Sequence, residues 1–125
     1  MLNQSGITKT VGATRKTMLY DTQLFFSLSC MIANTGVADA DGKKIVKAGT
    51  PLKGDLSNRD VAFTVAGAED TPVGIAMHDV DVTKGTMNGA VLVFGFVDED
   101  KLDATVTAML TTEMKAKLPK ITFCK

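Results

Sequence analysis

The eight residues from Ala90 to Val97, AVLVFGFV, constrain the fold of this chain more than any other segment. Valine and phenylalanine favour strands, and apolar side chains stand at both odd and even positions of the segment. Because successive side chains of a strand point to opposite sides, this pattern predicts a central strand that is covered on both faces. Gly95 inside it, like Gly74, indicates a bulge or a close backbone approach.

Several short strands are expected around this one. The apolar segment Val73–Val80 is the predicted partner strand, and Asn88-Gly89 between the two segments favours a turn. Asp41-Gly42 predicts a hairpin, and Pro51, which lacks an N–H, is expected at the start of a strand. Alternating apolar side chains over residues 61–66 predict a further, half-buried strand.

Residues 99–118 carry the pattern of a single α-helix. Leu102, Val106 and Leu110 recur at four-residue steps, which places them on one face. Acidic residues stand at the beginning of the segment, and Pro119 ends it. A short final strand follows at 121–123. The predicted fold class is therefore mostly β with one C-terminal α-helix, an α+β domain.

The first 35 residues differ from the rest of the chain. They show no helical or alternating period over a long window, and they end at the turn signal Asn34-Thr35-Gly36. Two interpretations remain open for their apolar cluster: an ordinary first strand of the core, or an extended arm that adds backbone to the sheet edge of another protein. The polar stretch with Arg15 and Lys16 favours the arm. We therefore divide the chain into an arm, residues 1–35, and a domain, residues 36–125.

Charge and hydropathy exclude two classes of partner. The 14 Lys and Arg residues balance 14 Asp and Glu residues, so no net basic charge is available to hold a nucleic acid. The chain contains no apolar run of about 18 residues, so we expect no membrane helix. The N-terminus lacks the apolar core of a secretory signal. We expect a one-domain protein that acts in the cytoplasm where it is made, with no nucleic-acid or membrane partner.

The residues able to carry chemistry are few and unconnected. His78 and Asp79 are neighbours in a strand and so point to opposite faces, and we interpret them as a polar strand end. The acidic residues around Asp39 lack the spacing of a calcium loop. Cys30 and Cys124 have no metal-ligand spacing and are expected to be buried free thiols, with a disulfide between them as the alternative. We predict no catalytic site, no metal and no cofactor.

Three blocks of the sequence resemble the head decoration proteins of tailed bacteriophages, of the lambda decoration type. They are AGTPLKGD at 48–55, TPVGIAMHDVDVTKG at 71–85 and AVLVFGFVDEDKLD at 90–103, and the resemblance covers roughly residues 45–125. It implies a small β-clip or β-tulip-like domain with an extended N-terminal arm and no catalytic site.

The resemblance also implies a function. Members of that family are virion structural proteins. They are present in the host cytoplasm before assembly and then lie on the outer surface of the expanded capsid. They stand as homotrimers at three-fold and quasi-three-fold positions, the arm pairs with the major capsid protein, and the shell is stabilised against the pressure of packaged DNA. Alternatives are another virion component such as a head-fibre base, a β-clip carbohydrate-binding module, and an enzyme with a site around His78.

Capsid contacts are expected in the arm, because buried aromatic side chains dominate the energies of protein interfaces. Trimer contacts are expected at exposed apolar positions around the Val73–Val80 and Ala90–Val97 strands. The expected arm contacts are Met18, Leu19, Tyr20, Leu24, Phe25 and Phe26, with Arg15 and Lys16 as electrostatic contacts to an acidic capsid surface.

Overall fold

The computed structural model describes Met18, Leu19 and residues 24–125. Their fold is mostly β, with two short helices in the C-terminal part, so the predicted mostly-β class is confirmed. The strands are β1 (Phe26–Ile32), β2 (Asp39–Ala40), β3 (Lys43–Val46), β4 (Pro51–Lys53), β5 (Thr64–Val65), β6 (Gly74–Ala76), β7 (Val80–Asp81), β8 (Met87–Asp98) and β9 (Ile121–Cys124). The helical segments are a 3-10 turn (Glu99–Lys101), α1 (Ala104–Met109) and α2 (Thr112–Ala116).

Strand β8 is the centre of the larger sheet, as its sequence predicts. It pairs with β1 and β6 in antiparallel fashion and with β9 in parallel fashion. Leu92 lies opposite both Ser27 of β1 and Ile75 of β6, so the strand is paired at both edges. Val91 and Leu92 are fully buried, and they belong to apolar clusters on opposite faces of the sheet.

Each face of β8 contributes to its own apolar cluster. The sheet runs β9-β8-β6-β4-β5, while β2, β3 and β7 form a smaller sheet. The first cluster contains Cys30, Ile32, Val46, Leu52, Phe63, Ala76, Val80, Val82 and Val91. The second contains Met18, Leu19, Ile75, Met77, Leu92, Val97, Leu118 and Ile121.

The larger sheet closes on itself next to the first cluster. The Phe63 N–H donates to the Met31 carbonyl at 2.7 Å, and the Ala33 N–H donates to the Phe63 carbonyl at 2.9 Å. Phe63 immediately precedes β5, at the far end of the sheet from β1. These bonds therefore join the two ends, and the sheet surrounds the first cluster as a partly closed barrel.

The local turn signals have mixed outcomes. The hairpin at Asp41-Gly42 is confirmed, because both residues have positive φ, 55° and 77°, as a tight hairpin turn requires. Pro51 begins β4, as predicted.

The predicted turn at Asn88-Gly89 is wrong, since both residues lie inside β8. The chain turns instead at Val82–Gly85, where the Gly85 N–H donates to the Val82 carbonyl. An added Cβ at Gly89 would lie 2.6 Å from Ile32 Cδ1, so this glycine makes room for the side chain of β1.

Two of the predicted strands are shorter than expected. The segment 73–80 does supply the partner of β8, but β6 ends at Ala76 and Val80 begins β7 in the smaller sheet. Within 61–66 only Thr64–Val65 forms a strand; Phe63 is fully buried and Val61 is exposed. The chain therefore changes sheet within 73–80, where the sequence shows an uninterrupted strand pattern.

The prediction of a single continuous helix at 99–118 is wrong, because the segment is divided into a 3-10 turn and two short helices. Asp103 and Thr111 have extended backbone, and their side chains cap α1 and α2 by accepting from the N–H groups of Thr105 and Met114. Side chains of this kind compete with the helix backbone for hydrogen bonds, so they interrupt the helix. The apolar stripe survives this interruption as a small cluster of Val106, Leu110 and Met114.

The described part of residues 1–35 belongs to the folded domain. Strand β1 lies in the larger sheet, and Met18 and Leu19 are only 3% exposed. The Asp98 N–H donates to the Met18 carbonyl at 2.8 Å, and Leu19 forms a bridge with Val97. Residues 26–32 thus form a first strand of the core, which is the alternative interpretation of this segment. Within the described residues, the structure does not contain an arm that extends to residue 35.

Candidate interaction surface

Four large apolar side chains lie exposed near the start of β1, three of them at residues 24–26 and one in β8. Phe26 is 53% exposed and lies directly opposite Phe94, which is 38% exposed, in the β1–β8 register. Phe25 passes over Gly95, since an added Cβ at Gly95 would stand 3.2 Å from the Phe25 Cβ. Leu24, 51% exposed, precedes it. We call Leu24, Phe25, Phe26 and Phe94 the aromatic patch.

An irregularity in strand pairing lies beneath the aromatic patch. Phe26 is opposite Phe94, but the next residue, Ser27, is opposite Leu92, so Val93 has no partner in this register. A bulge of this kind bends the strand and changes which side chains face the core. Phe26 and Phe94 lie outside the three apolar clusters that the described residues form.

The structure separates the expected arm contacts into three groups. Leu24, Phe25 and Phe26 form most of the aromatic patch. Met18 and Leu19 are buried in the second cluster, so expecting them at a partner surface is wrong for this folded state. They share that cluster with Val97 of β8 and Ile121 of β9. Tyr20, Arg15 and Lys16 lie outside the described residues.

Most apolar side chains in the two strands around which exposed trimer contacts are expected are buried, so few candidates for that contact remain there. Ile75, Met77, Leu92 and Val97 belong to the second cluster, whereas Phe94 is exposed. The sequence alone does not connect Phe94 with Phe26. No local signal links the two rings, because their proximity depends on the long-range register of β1 and β8.

A polar groove contains the lone histidine, and two of its acidic residues, Asp79 and Asp103, accept hydrogen bonds from backbone N–H groups. His78 is exposed, and the Asp79 carboxylate accepts from the Ala48 N–H at 2.8 Å. The Asp103 carboxylate accepts from the Thr105 N–H and hydroxyl at 3.0 and 2.6 Å, and Lys47 lies 3.2 Å from it. Within the described residues, no group of three or more His, Cys, Asp or Glu side chains is placed to hold a metal ion.

These bonds predict how stability responds to acid. The Thr105 hydroxyl and N–H, followed by Lys47, lower the pKa of Asp103 to about 2 from an ordinary 3.8. A lowered pKa in the folded state adds stability above pH 4 that is lost as the pH falls towards 2. We expect Asp103→Asn, which keeps a capping oxygen, to reduce proton uptake on unfolding in this window by up to about one proton. Urea unfolding between pH 5 and pH 2 measures this.

Asp100→Asn is the matched control for this prediction. Among the described residues, the Asp100 side chain has no hydrogen-bond partner, so its replacement should leave the acid dependence of unfolding as in the wild type. The same dependence in Asp103→Asn as in the wild type would contradict the account of the Asp103 cap.

Both cysteines are free in the structure, as predicted. Cys30 is buried in the first cluster, and Cys124 is partly buried in β9. Burial raises the pKa of the Cys30 thiol, and the nearby positive charge of Arg59 opposes this in smaller measure. Cys30 therefore acts as a packing residue.

Comparison with known proteins adds no family to these observations. No protein-family model matches the sequence. No curated protein matches it either. None of the helices in the described part of the chain is long and apolar enough to cross a membrane.

Proposed function

We propose that this chain is a virion structural protein that binds the outside of an expanded phage capsid as trimers and stabilises the shell against the pressure of packaged DNA. The observation that carries the proposal is the aromatic patch, a group of exposed large apolar side chains at neighbouring positions of β1 and β8. The resemblance of residues 45–125 to decoration proteins supports the choice of partner, the major capsid protein. In this proposal the domain is of the β-clip or β-tulip type.

The arrangement of the resembling blocks supports the proposal. The blocks contribute β4, β6 and β8, and these three strands are neighbours in the larger sheet. Pro51 lies opposite Ile75, and Ile75 lies opposite Leu92. The segments that resemble the family therefore form one continuous structural unit, as segments that define a fold should.

The chemistry of the aromatic patch suits a strong, shape-dependent contact. Burial of one phenylalanine side chain contributes about 1.5–3 kcal/mol, and aromatic side chains are common among the residues that dominate interfaces. A trimer presents three copies of the patch, so simultaneous binding multiplies a modest single contact. A surface present only in the expanded shell would make the protein select that state by differential affinity.

The proposal is tested by co-sedimentation with undecorated shells of the phage that encodes the chain. We expect saturable binding to expanded shells in multiples of three copies, and little binding to unexpanded shells. A chain that begins at Met18 keeps the described core and measures what the preceding residues, including Arg15 and Lys16, add to affinity. Absence of binding to expanded shells, or equal binding to both shell forms, would overturn the proposal.

A further inference from the structure

One edge of β1 is only partly covered by the described residues. Its other edge pairs with β8, while Phe63 covers the end of the open edge by bonding to Met31 and Ala33. The backbone groups of alternate residues in an antiparallel strand point to the same edge. The N–H and C=O groups of Ser27 and Ser29 therefore face the open edge, as those of Met31 do.

The side chain of Arg59 occupies this open edge. Its Nη1 donates to the Ser29 carbonyl at 2.8 Å and lies 3.4 Å from the Ser29 Oγ. The guanidinium thus stands where the N–H of a neighbouring strand would stand. Charged side chains on an edge strand are a common means of preventing edge-to-edge pairing. A groove lined by Ser29, Met31 and residues 56–60 adjoins the Ser29 end of this edge, and Arg59 is part of its wall.

We propose that the Ser27–Ser29 edge is a pairing surface for a second copy of this chain, and that Arg59 holds it closed. An antiparallel pair centred on Leu28 places Ser27 of each copy opposite Ser29 of the other. Each of these two pairs exchanges two backbone hydrogen bonds, so the symmetric contact has four.

A second copy also suits the surface beside this edge. Phe26 directly precedes Ser27, so pairing centred on Leu28 places Phe26 of each copy opposite Cys30 of the other and brings one ring of the aromatic patch into the contact. Phe63 blocks the edge at Met31, which limits the contact to the start of β1. This inference rests on the geometry of β1 and Arg59. Because pairing would cover Phe26, which the proposed function assigns to the capsid contact, self-pairing and capsid binding exclude each other at this surface.

Sedimentation equilibrium of Arg59→Ala, Arg59→Lys and the wild type tests the inference. Loss of a charge-assisted hydrogen bond should raise the association constant of Arg59→Ala about tenfold or more above that of the wild type. Arg59→Lys keeps a charge at the edge and should stay near the wild type. Adding Ser29→Pro to Arg59→Ala removes an N–H that faces the open edge and should abolish the gain.

Amide hydrogen exchange provides a second measurement that needs no proline variant. At high concentration of Arg59→Ala, the amides of Ser27 and Ser29 should become protected. The amides of Leu28 and Cys30 point to β8 and should be equally protected at all concentrations. An Arg59→Ala protein with the assembly mass of the wild type, and with Ser27 and Ser29 amides that exchange fast at every concentration, would overturn the inference.

Discussion

Gly74→Ala is expected to lower the free energy of unfolding by about 3 kcal/mol or more, because it places an atom inside the backbone of the neighbouring strand. The added Cβ would lie 2.4 Å from the Leu92 carbonyl oxygen and 2.6 Å from Val91 Cγ2. The backbone of β8 cannot retreat, because β1 and β9 hold it as well as β6. Urea denaturation followed by circular dichroism measures the loss.

Gly67→Ala is the matched control for this substitution. Its added Cβ would come within 3.3 Å of a single atom, Asp70 Oδ2, which accepts hydrogen bonds from the Gly67 N–H and from Lys53 and needs to shift by only a few tenths of an ångström. We expect a change of less than about 1 kcal/mol there, as for an ordinary glycine-to-alanine replacement. If Gly74→Ala unfolds at the same urea concentration as Gly67→Ala, the close approach of β6 and β8 is not as described.

Phe63→Ala is expected to cost about 3–5 kcal/mol, the usual cost of truncating a fully buried phenylalanine. The ring fills the first cluster and lies against Gly54, where an added Cβ would stand 2.7 Å from Phe63 Cγ. The backbone of the same residue joins β1 to the far end of the sheet. The empty space would therefore lie at the point where the barrel closes.

Val61→Ala controls for the effect of removing an apolar side chain nearby. Val61 is 61% exposed, so its truncation should change the free energy of unfolding by less than about 0.5 kcal/mol. Chemical denaturation of both variants under the same conditions gives the comparison. Similar stabilities for Phe63→Ala and Val61→Ala would show that Phe63 is not the centre of the first cluster.

The sequence predicts the features that depend on local chemistry. The central strand is visible because apolar side chains at both odd and even positions are typical of a strand that is buried on both faces. The hairpin at Asp41-Gly42 is visible because a two-residue turn needs residues that accept positive φ. Both features depend on a few consecutive residues. The hairpin is found as predicted, and β8 is covered on both faces at Val91 and Leu92 but leaves Phe94 exposed.

The features that depend on distant contacts are not visible in the sequence. Asn88-Gly89 has the composition of a turn, and only the side chain of Ile32 in another strand explains why Gly89 lies inside β8. Strand β1 is only 7 residues long, so its pattern does not stand out before its pairing with β8 is known. The apolar stripe of the C-terminal segment predicts one continuous helix, whereas the competing caps at Asp103 and Thr111 divide it into two.

The same distinction between local features and distant contacts applies to the candidate interaction surface. The sequence alone shows that Leu24, Phe25 and Phe26 are apolar, and it predicts that such side chains suit an interface. Met18 belongs to the same apolar part of the sequence but is buried. Its position depends on a contact that is distant in sequence, the hydrogen bond from the Asp98 N–H at the far end of β8. The contribution of Phe94 depends on a strand register that no local pattern specifies.

Shell binding by a double variant of the aromatic patch tests the central claim most directly. Phe26→Ser with Phe94→Ser removes two exposed rings and leaves the buried clusters unchanged, and Ile45→Ser is a control of similar exposure on β3. We expect the double variant to bind expanded shells at least about 30-fold more weakly, as for loss of an interface hot spot, with a melting temperature near that of the wild type. Ile45→Ser should bind as the wild type does. Wild-type affinity in the double variant would contradict the account of the aromatic patch as the capsid-binding surface.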